Sequence, residues 1–263
     1  MALVHLERRD DVAVITLDRP EARNAVNGPL ARALGAAVVE VEADPVLRVA
    51  VLTGRVTEPR PVFCAGHDLR TIDDEVSGGD RAATERGGFA GFVTYPRTKP
   101  VVAAVDGLAT SGGLELVLAC DLVVATRRAS FALAEVRWNL VAGAGGLFRL
   151  AWAVGRATAM DMLLTGEAIT AERAHQLGLV GTLVEGGQPE VVEAAVARAR
   201  LVAAAGPAAV RASRRVCDRA FSLPEDALWQ ENQRALDDVL GSDDLVEGLQ
   251  AFADRRTPTF TGR

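Results

Sequence analysis

The sequence predicts an α/β layer fold that closes in an all-helical section. Three observations carry this. Short β-branched apolar runs alternate with stretches of helical periodicity over roughly the first half of the chain. From about Ala144 onward strand signals fade and helical stretches follow one another. With 263 residues, 49% hydrophobic and 24% charged, the composition is that of an ordinary globular protein. A chain of this length buries roughly 70–75% of its unfolded surface, so it needs neither disulfides nor a structural metal.

Each element has a local reason. Val12–Leu17 (Val-Ala-Val-Ile-Thr-Leu) reads as a strand, stopped by the turn chemistry of Asp18-Arg19-Pro20-Glu21. Leu30, Leu34, Val38 and Val41 fall on one face of a helix over Pro29–Val41. Arg48–Leu52 is a buried strand leading into a polar loop around Thr53–Pro61. Asp73–Gly88 holds five acidic residues and four glycines, which predicts a mobile surface loop or ragged helix outside the core. Val101–Val105 and Leu122–Ala125 are further buried strands, and Ala129–Ala134 is strand-like. Helices are expected over Leu150–Leu164, Ala171–Leu177, Val191–Ala204, Pro207–Ala220, Pro224–Leu240 and Asp244–Asp254, with Pro207 and Pro224 near helix starts. No linker separates the halves. Residues 1–200 form a core and 201–263 a helical section of the same domain.

Composition also removes function classes. Cys64, Cys120 and Cys217 are odd in number and form no CxxC pair, so a zinc site or disulfide framework is not expected and a reducing cytoplasm is. No apolar run approaches the ~20 residues of a membrane span, and the first ten residues lack a signal-peptide stretch. A net charge of −6 argues against nucleic-acid binding while leaving room for one locally held anion. Lys99 is the only lysine, which leaves Schiff-base chemistry a single residue beside Pro100.

Three glycine-bearing segments are the candidate chemistry: Phe63-Cys64-Ala65-Gly66-His67-Asp68-Leu69, Asp106–Leu116 and Gly143-Ala144-Gly145-Gly146. In the second, Ser111-Gly112-Gly113 joins a buried strand to a helix. Such a turn leaves unpaired backbone N–H groups at the positive end of the helix dipole, which stabilise an anion or developing oxyanion. Glu115 follows within the first turn. It reads either as a glutamate favoured by the dipole or as a group that handles protons. Glu135, at the end of a strand-like run, reads either as solvated or as catalytic. His67 has Asp68 and Ser111 as triad candidates, but there is no HxH, HExxH or GxSxG pattern. Phe148 stands where a GxGxxG motif needs glycine. No metal is expected.

Taken in order, these segments resemble the enoyl-CoA hydratase/isomerase (crotonase) family over nearly the whole chain. The likeness runs from Leu17-Asp18-Arg19-Pro20-Glu21-Ala22-Arg23-Asn24-Ala25 through Phe63–Leu69, Lys99–Gly107, Gly112–Asp121 and Phe131–Gly146. It continues to Thr165-Gly166, Ala171–Val180 and Phe252–Arg263. The resemblance implies a crotonase-like spiral of ββα turns with a C-terminal α-helical section that assembles subunits into trimers or hexamers. It implies an enoyl-CoA hydratase of fatty acid or lipid metabolism, with coenzyme A part of the substrate and no separate cofactor. The backbone amides of His67 and Gly112 would form the oxyanion hole. Glu115 would orient and activate water, Glu135 would transfer a proton at Cα, and Gly143 would help position the water. Arg23, Ala25, Ala65, Asp68, Arg255 and Arg256 would bind coenzyme A. Asn139 stands where the family usually has glycine, and asparagine tolerates the same positive φ. His67 and Trp138 add bulk that would reshape the acyl pocket. The alternatives are an isomerase or the dehydratase of an unusual hydroxyacyl-CoA in the same fold. Further off stand a Clp-like serine hydrolase built on Ser111 and His67, and an acyl-CoA binder without turnover.

Overall fold

A computed structural model of the chain describes residues 2–262. Met1 and Arg263, the outer ends of the two sequence sections, lie outside the described residues.

The chain opens with β1 (Val4–Arg9) and β2 (Val12–Leu17), then α1 (Gly28–Ala43). There follow β3 (Val49–Gly54), β4 (Val62–Cys64), α2 (Ile72–Val76) and a small hairpin of β5 (Ala83–Thr84) and β6 (Gly88–Phe89). Next come β7 (Val101–Val105), β8 (Leu108–Thr110), α3 (Gly112–Leu118), β9 (Leu122–Thr126) and β10 (Ser130–Ala132). The remainder is α4 (Gly146–Val154), α5 (Arg156–Thr165), β11 (Ile169–Thr170), α6 (Ala171–Gln176), β12 (Thr182–Val184), α7 (Gln188–Ala203), α8 (Pro207–Arg219), α9 (Glu225–Leu240) and α10 (Asp243–Asp254).

Two sheets organise these elements. One has the order β1-β2-β3-β7-β9-β12 and the other β11-β10-β8-β4. The pairs β3/β4, β7/β8 and β9/β10 each place one strand in each sheet, and these strands run parallel within their sheets, with β1 and β11 antiparallel at the edges. A chain that visits the first sheet, then the second, then turns into helix, and repeats, is a ββα spiral.

Period-two alternation explains the layering. Val12, Val14, Val49, Val51, Val102, Ala104 and Val124 face outward, where Val191, Val192, Ala195, Val196, Ala199 and Ala203 of α7 cover them. The alternate residues Ala13, Ile15, Leu17, Ala50, Leu52, Ala103 and Val105 face the main core, against Leu30, Leu34, Val38 and Val41 of α1. The strands are therefore buried on both faces, which is why they read as continuous apolar runs.

The structure corrects the sequence reading in three places. Strands do recur after Ala144: β12 closes the six-stranded sheet against β9, and β11 edges the second sheet. At two and three residues, they are too short to show alternation. The helix expected over Leu150–Leu164 is two helices, broken at Gly155 with φ +76°. The acidic stretch Asp73–Gly88 is not wholly outside the core, because Ala82 is buried within it. No helix among the described residues is long and apolar enough to cross a membrane.

In the closing section α8 packs on α9. The Glu231 carboxylate is buried between them against Arg219 at 2.5 Å, with Arg215 and Arg234 also in contact. Trp229, Leu236 and Leu240 of α9, and Val246, Leu249 and Phe252 of α10, are exposed apolar residues at helical spacing.

Candidate active site

The site begins with a buried asparagine. Asn24 is inaccessible to solvent. Its side-chain amide donates to the carbonyls of Arg55, Val62 and Phe63 at 2.9–3.2 Å, and its Oδ1 accepts from Arg19 N at 3.1 Å. Asn24 thus ties the amino-terminal turn to β4. Beyond β4, Ala65 N donates to Arg23 O at 3.0 Å, Val26 N to Gly66 O at 2.7 Å, and Asp68 N to Val26 O at 2.8 Å. Arg19 Nη1 bridges Ala25 O at 3.0 Å and Asp68 Oδ2 at 2.7 Å. Cys64, its thiol pushed up to about 12 by burial, is an inert donor to Asn24 O.

These bonds aim the His67 amide. In a trans peptide the C=O and the following N–H point in opposite directions. With Gly66 O held by Val26, the His67 N–H faces away from Val26, and it donates to no protein group among the described residues. Gly112, the first residue of α3, likewise has an amide without an intrahelical acceptor. The two segments touch: a Cβ on Gly66 would lie 2.7 Å from Gly112 N. Gly66 adopts φ +86°, so glycine meets both the conformational and the spatial requirement here. Ser111, immediately before Gly112, sits at φ +54°, ψ −130°, a strained conformation for a residue with a side chain. Two unengaged amides brought together this way can bind an oxyanion.

Two carboxyls stand beside them. Glu115 is buried in α3, and its Oε1 accepts from Ala144 N at 2.6 Å and Gly146 N at 2.8 Å. Burial pushes its acid up to about 7. The Gly146 amide opposes that shift, and the charge of Glu135 adds to it. Glu135 follows β10 as the first residue of a short 3₁₀ turn that ends at Asn139 in the left-handed conformation, φ +57°. Its Oε2 is shut off from solvent and has no hydrogen-bond partner among the described residues. Burial raises its acid also, against its own backbone N–H and the Ser111 hydroxyl. A carboxyl oxygen buried without a partner is poised for a ligand atom or water.

The sequence candidates separate into groups. His67, Gly112, Glu115 and Glu135 converge, and Arg23, Ala25, Ala65 and Asp68 share the bonded turn beside them. Gly143 lies in the 140–146 loop, where a Cβ would meet Val141 O at 3.9 Å, with its amide unengaged among the described residues. The Asp68 carboxylate is spent on Arg70 and Arg19, which hold it well below the usual range. Arg255 and Arg256 stand apart. Arg255 caps α10 at φ +56°, and Arg256 pairs with Glu247 at 2.7 Å. Among the described residues neither bonds to the turn that carries Arg23. Ser111 and His67 do not pair, since the His67 imidazole is engaged by Glu75 at 2.6 Å.

The grip of the Ala144 and Gly146 amides on Glu115 lies beyond what the sequence pattern predicts. Their glycine-rich run was visible, but its partner thirty residues upstream was not.

Comparison with known proteins gives the family. The chain matches the enoyl-CoA hydratase/isomerase family over residues 7–263. It belongs to that family. A carnitinyl-CoA dehydratase from Salmonella typhi is 36% identical over 266 residues, covering 99% of this chain and 98% of the relative. The crystal structure of an enoyl-CoA hydratase from Mycobacterium tuberculosis H37Rv superposes with a TM-score of 0.91 at 42% identity, over the full length of both chains. That of a carnitinyl-CoA hydratase from Mycobacterium avium gives 0.76 at 40% identity, again over both full lengths. The spiral with its helical carboxyl-terminal section is the fold of these enoyl-CoA hydratase/isomerase family structures.

Proposed function

We propose that this protein is an acyl-CoA hydro-lyase that adds water across the 2,3 double bond of a 2-enoyl-CoA and catalyses the reverse dehydration. The observation that carries this is the pair of buried carboxyls, Glu115 and Glu135, beside two unengaged amides. Addition of water at Cβ moves negative charge onto the thioester oxygen. The His67 and Gly112 amides receive that charge, at about 3–4 kcal/mol per donor by the measure of other oxyanion holes. Glu115, held by Ala144 and Gly146, takes a proton from water, with Gly143 N helping to place it. Glu135 delivers a proton to Cα. The carboxyl pair carries one proton in total, and its position exchanges with the direction of reaction. The coenzyme A moiety lies along the turn of Arg23, Ala25 and Ala65. The exposed apolar face of α9 and α10 is large enough to expect burial against further copies, in a trimer or hexamer.

The test is loss of the conjugated thioester absorbance when the protein meets 2-enoyl-CoA esters of graded length. If none from short to long chain is hydrated, the reading fails. The family relatives named for carnitinyl-CoA favour including polar β-substituents in the panel. An isomerase would incorporate no solvent oxygen, which product analysis in labelled water decides.

The pH dependence follows from the pair. Activity needs one proton shared between two acids. Burial holds both acids above the ordinary carboxyl range, Glu115 up to about 7 with the charge of Glu135 adding to the shift. The two steps belong to the pair, and the proton retained between them sits on Glu135 when water is added and on Glu115 when it is removed. Below the first step no base remains, and above the second no acid remains. A bell-shaped kcat/KM profile with its alkaline limb near pH 7 is expected. A flat profile between pH 5 and 9 contradicts the pairing.

A further inference from the structure

The oxyanion reading uses the His67 backbone and leaves its imidazole without a task. That imidazole is nonetheless held on two sides. Its Nε2 lies 2.6 Å from Glu75 Oε1. Its ring meets Phe89 edge-on at 6.2 Å between centroids. Phe89 in turn packs against Gly112, where a Cβ would come within 2.5 Å of its ring. Glu75 belongs to α2 and keeps only 14% of its side chain exposed. Its Oε1 also accepts from Thr71 Oγ1 at 3.0 Å. Thr71 closes the circuit on the residue after His67, with N and Oγ1 at 2.9 and 2.8 Å from Asp68 O. Burial works against a charged Glu75, yet the bonds from His67, Ala82 and Thr71 outweigh it and hold its acid low. The ring of contacts therefore runs from the His67 side chain through α2 and back to the His67 backbone.

We propose that Glu75 is a positioning residue: by clamping the His67 imidazole against Phe89 it fixes the backbone angles of His67, and through them the direction of the oxyanion-hole N–H. A surface ion pair would be worth little, and its loss would leave turnover untouched. A displaced amide is different, since a misplacement near 1 Å at a reacting group costs on the order of a hundredfold in rate. The proposal rests on the acyl-CoA reading above, so its test includes a readout that needs no turnover.

Glu75→Ala and His67→Ala are each expected to lower kcat about ten- to a hundredfold, with KM changed by less than about twofold. His67→Ala keeps the amide itself. The double variant should be no slower than the slower single variant, because both remove the same clamp. Glu75→Gln, whose amide oxygen still accepts from the imidazole, should restore most of the rate. Independently, the infrared carbonyl stretch of a bound saturated acyl-CoA, ¹³C-labelled at the thioester, should move to lower wavenumber in wild type and Glu75→Gln. It should return towards the free value in Glu75→Ala. If the wild type hydrates nothing, the functional reading falls while the carbonyl shift still decides this one. Wild-type kcat and carbonyl stretch in Glu75→Ala overturn the proposal, as do effects that multiply in the double variant. Should Glu75→Ala not fold, His67→Ala alone gives the same decision: an unchanged rate and carbonyl stretch overturn the proposal.

Discussion

Glu135→Gln is expected to lower kcat for 2-enoyl-CoA hydration by about 10²- to 10⁴-fold, the usual contribution of a positioned proton-transfer group. The substitution preserves shape and removes only the transferable proton. Because Oε2 has no partner among the described residues, no internal hydrogen bond to it is lost, and affinity for a saturated acyl-CoA should stay within about twofold. Glu115→Gln should fall in the same range for a related reason. A glutamine oxygen can still accept the amides of Ala144 and Gly146, so the 140–146 loop keeps its place while water loses its base. The double variant should be far less impaired than the product of the singles, since groups acting as a unit are non-additive. Steady-state rates and acyl-CoA titrations on the three variants check this. A Glu135→Gln protein with more than about a third of wild-type kcat removes the assigned role.

Gly66→Ala should be as damaging by a purely steric route. The new methyl would lie 2.7 Å from Gly112 N, 2.9 Å from Ser111 Cβ and 3.0 Å from Thr110 O. The backbone itself is at φ +86°, where alanine adds about 1–3 kcal/mol of strain. Relief requires the His67 and Gly112 amides to separate. The expected result is a kcat loss of about 10²- to 10³-fold, the usual effect of losing one oxyanion donor. It should come with a lower urea midpoint. A variant that loses stability yet keeps its rate would show that the two amides do not act together.

How much of this was legible depends on distance along the chain. Strands buried on both faces announce themselves, so Val12–Leu17 and Val101–Val105 were readable as they stand. Strand β12 was not, because three half-buried residues carry no periodicity and form a strand only by pairing with β9. Gly155 sits inside an apolar run whose periodicity predicts one helix, although its φ of +76° ends one helix and starts the next. At the site, the Ser-Gly-Gly turn and the placement of Glu115 followed from helix-terminus chemistry. The grip of Ala144 and Gly146 on Glu115, and of Glu75 on His67, are long-range pairings of polar groups that local pattern does not encode. The coenzyme A candidates divide on the same principle. Arg23 and Ala65 meet through the strands that separate them, whereas Arg255 and Arg256 are held by their own helix and the tail that follows it.

The coiling of the chain has a consequence for how this catalyst fails. His67 follows the first coil, Gly112 and Glu115 the second, and Glu135 the third. On the proposed roles no coil owns a complete set of reactive groups, so a fragment that keeps two of them is expected to lose most of the activity. On the same roles, loosening any one coil is expected to weaken the chemistry of all three, because the groups must meet across the stack.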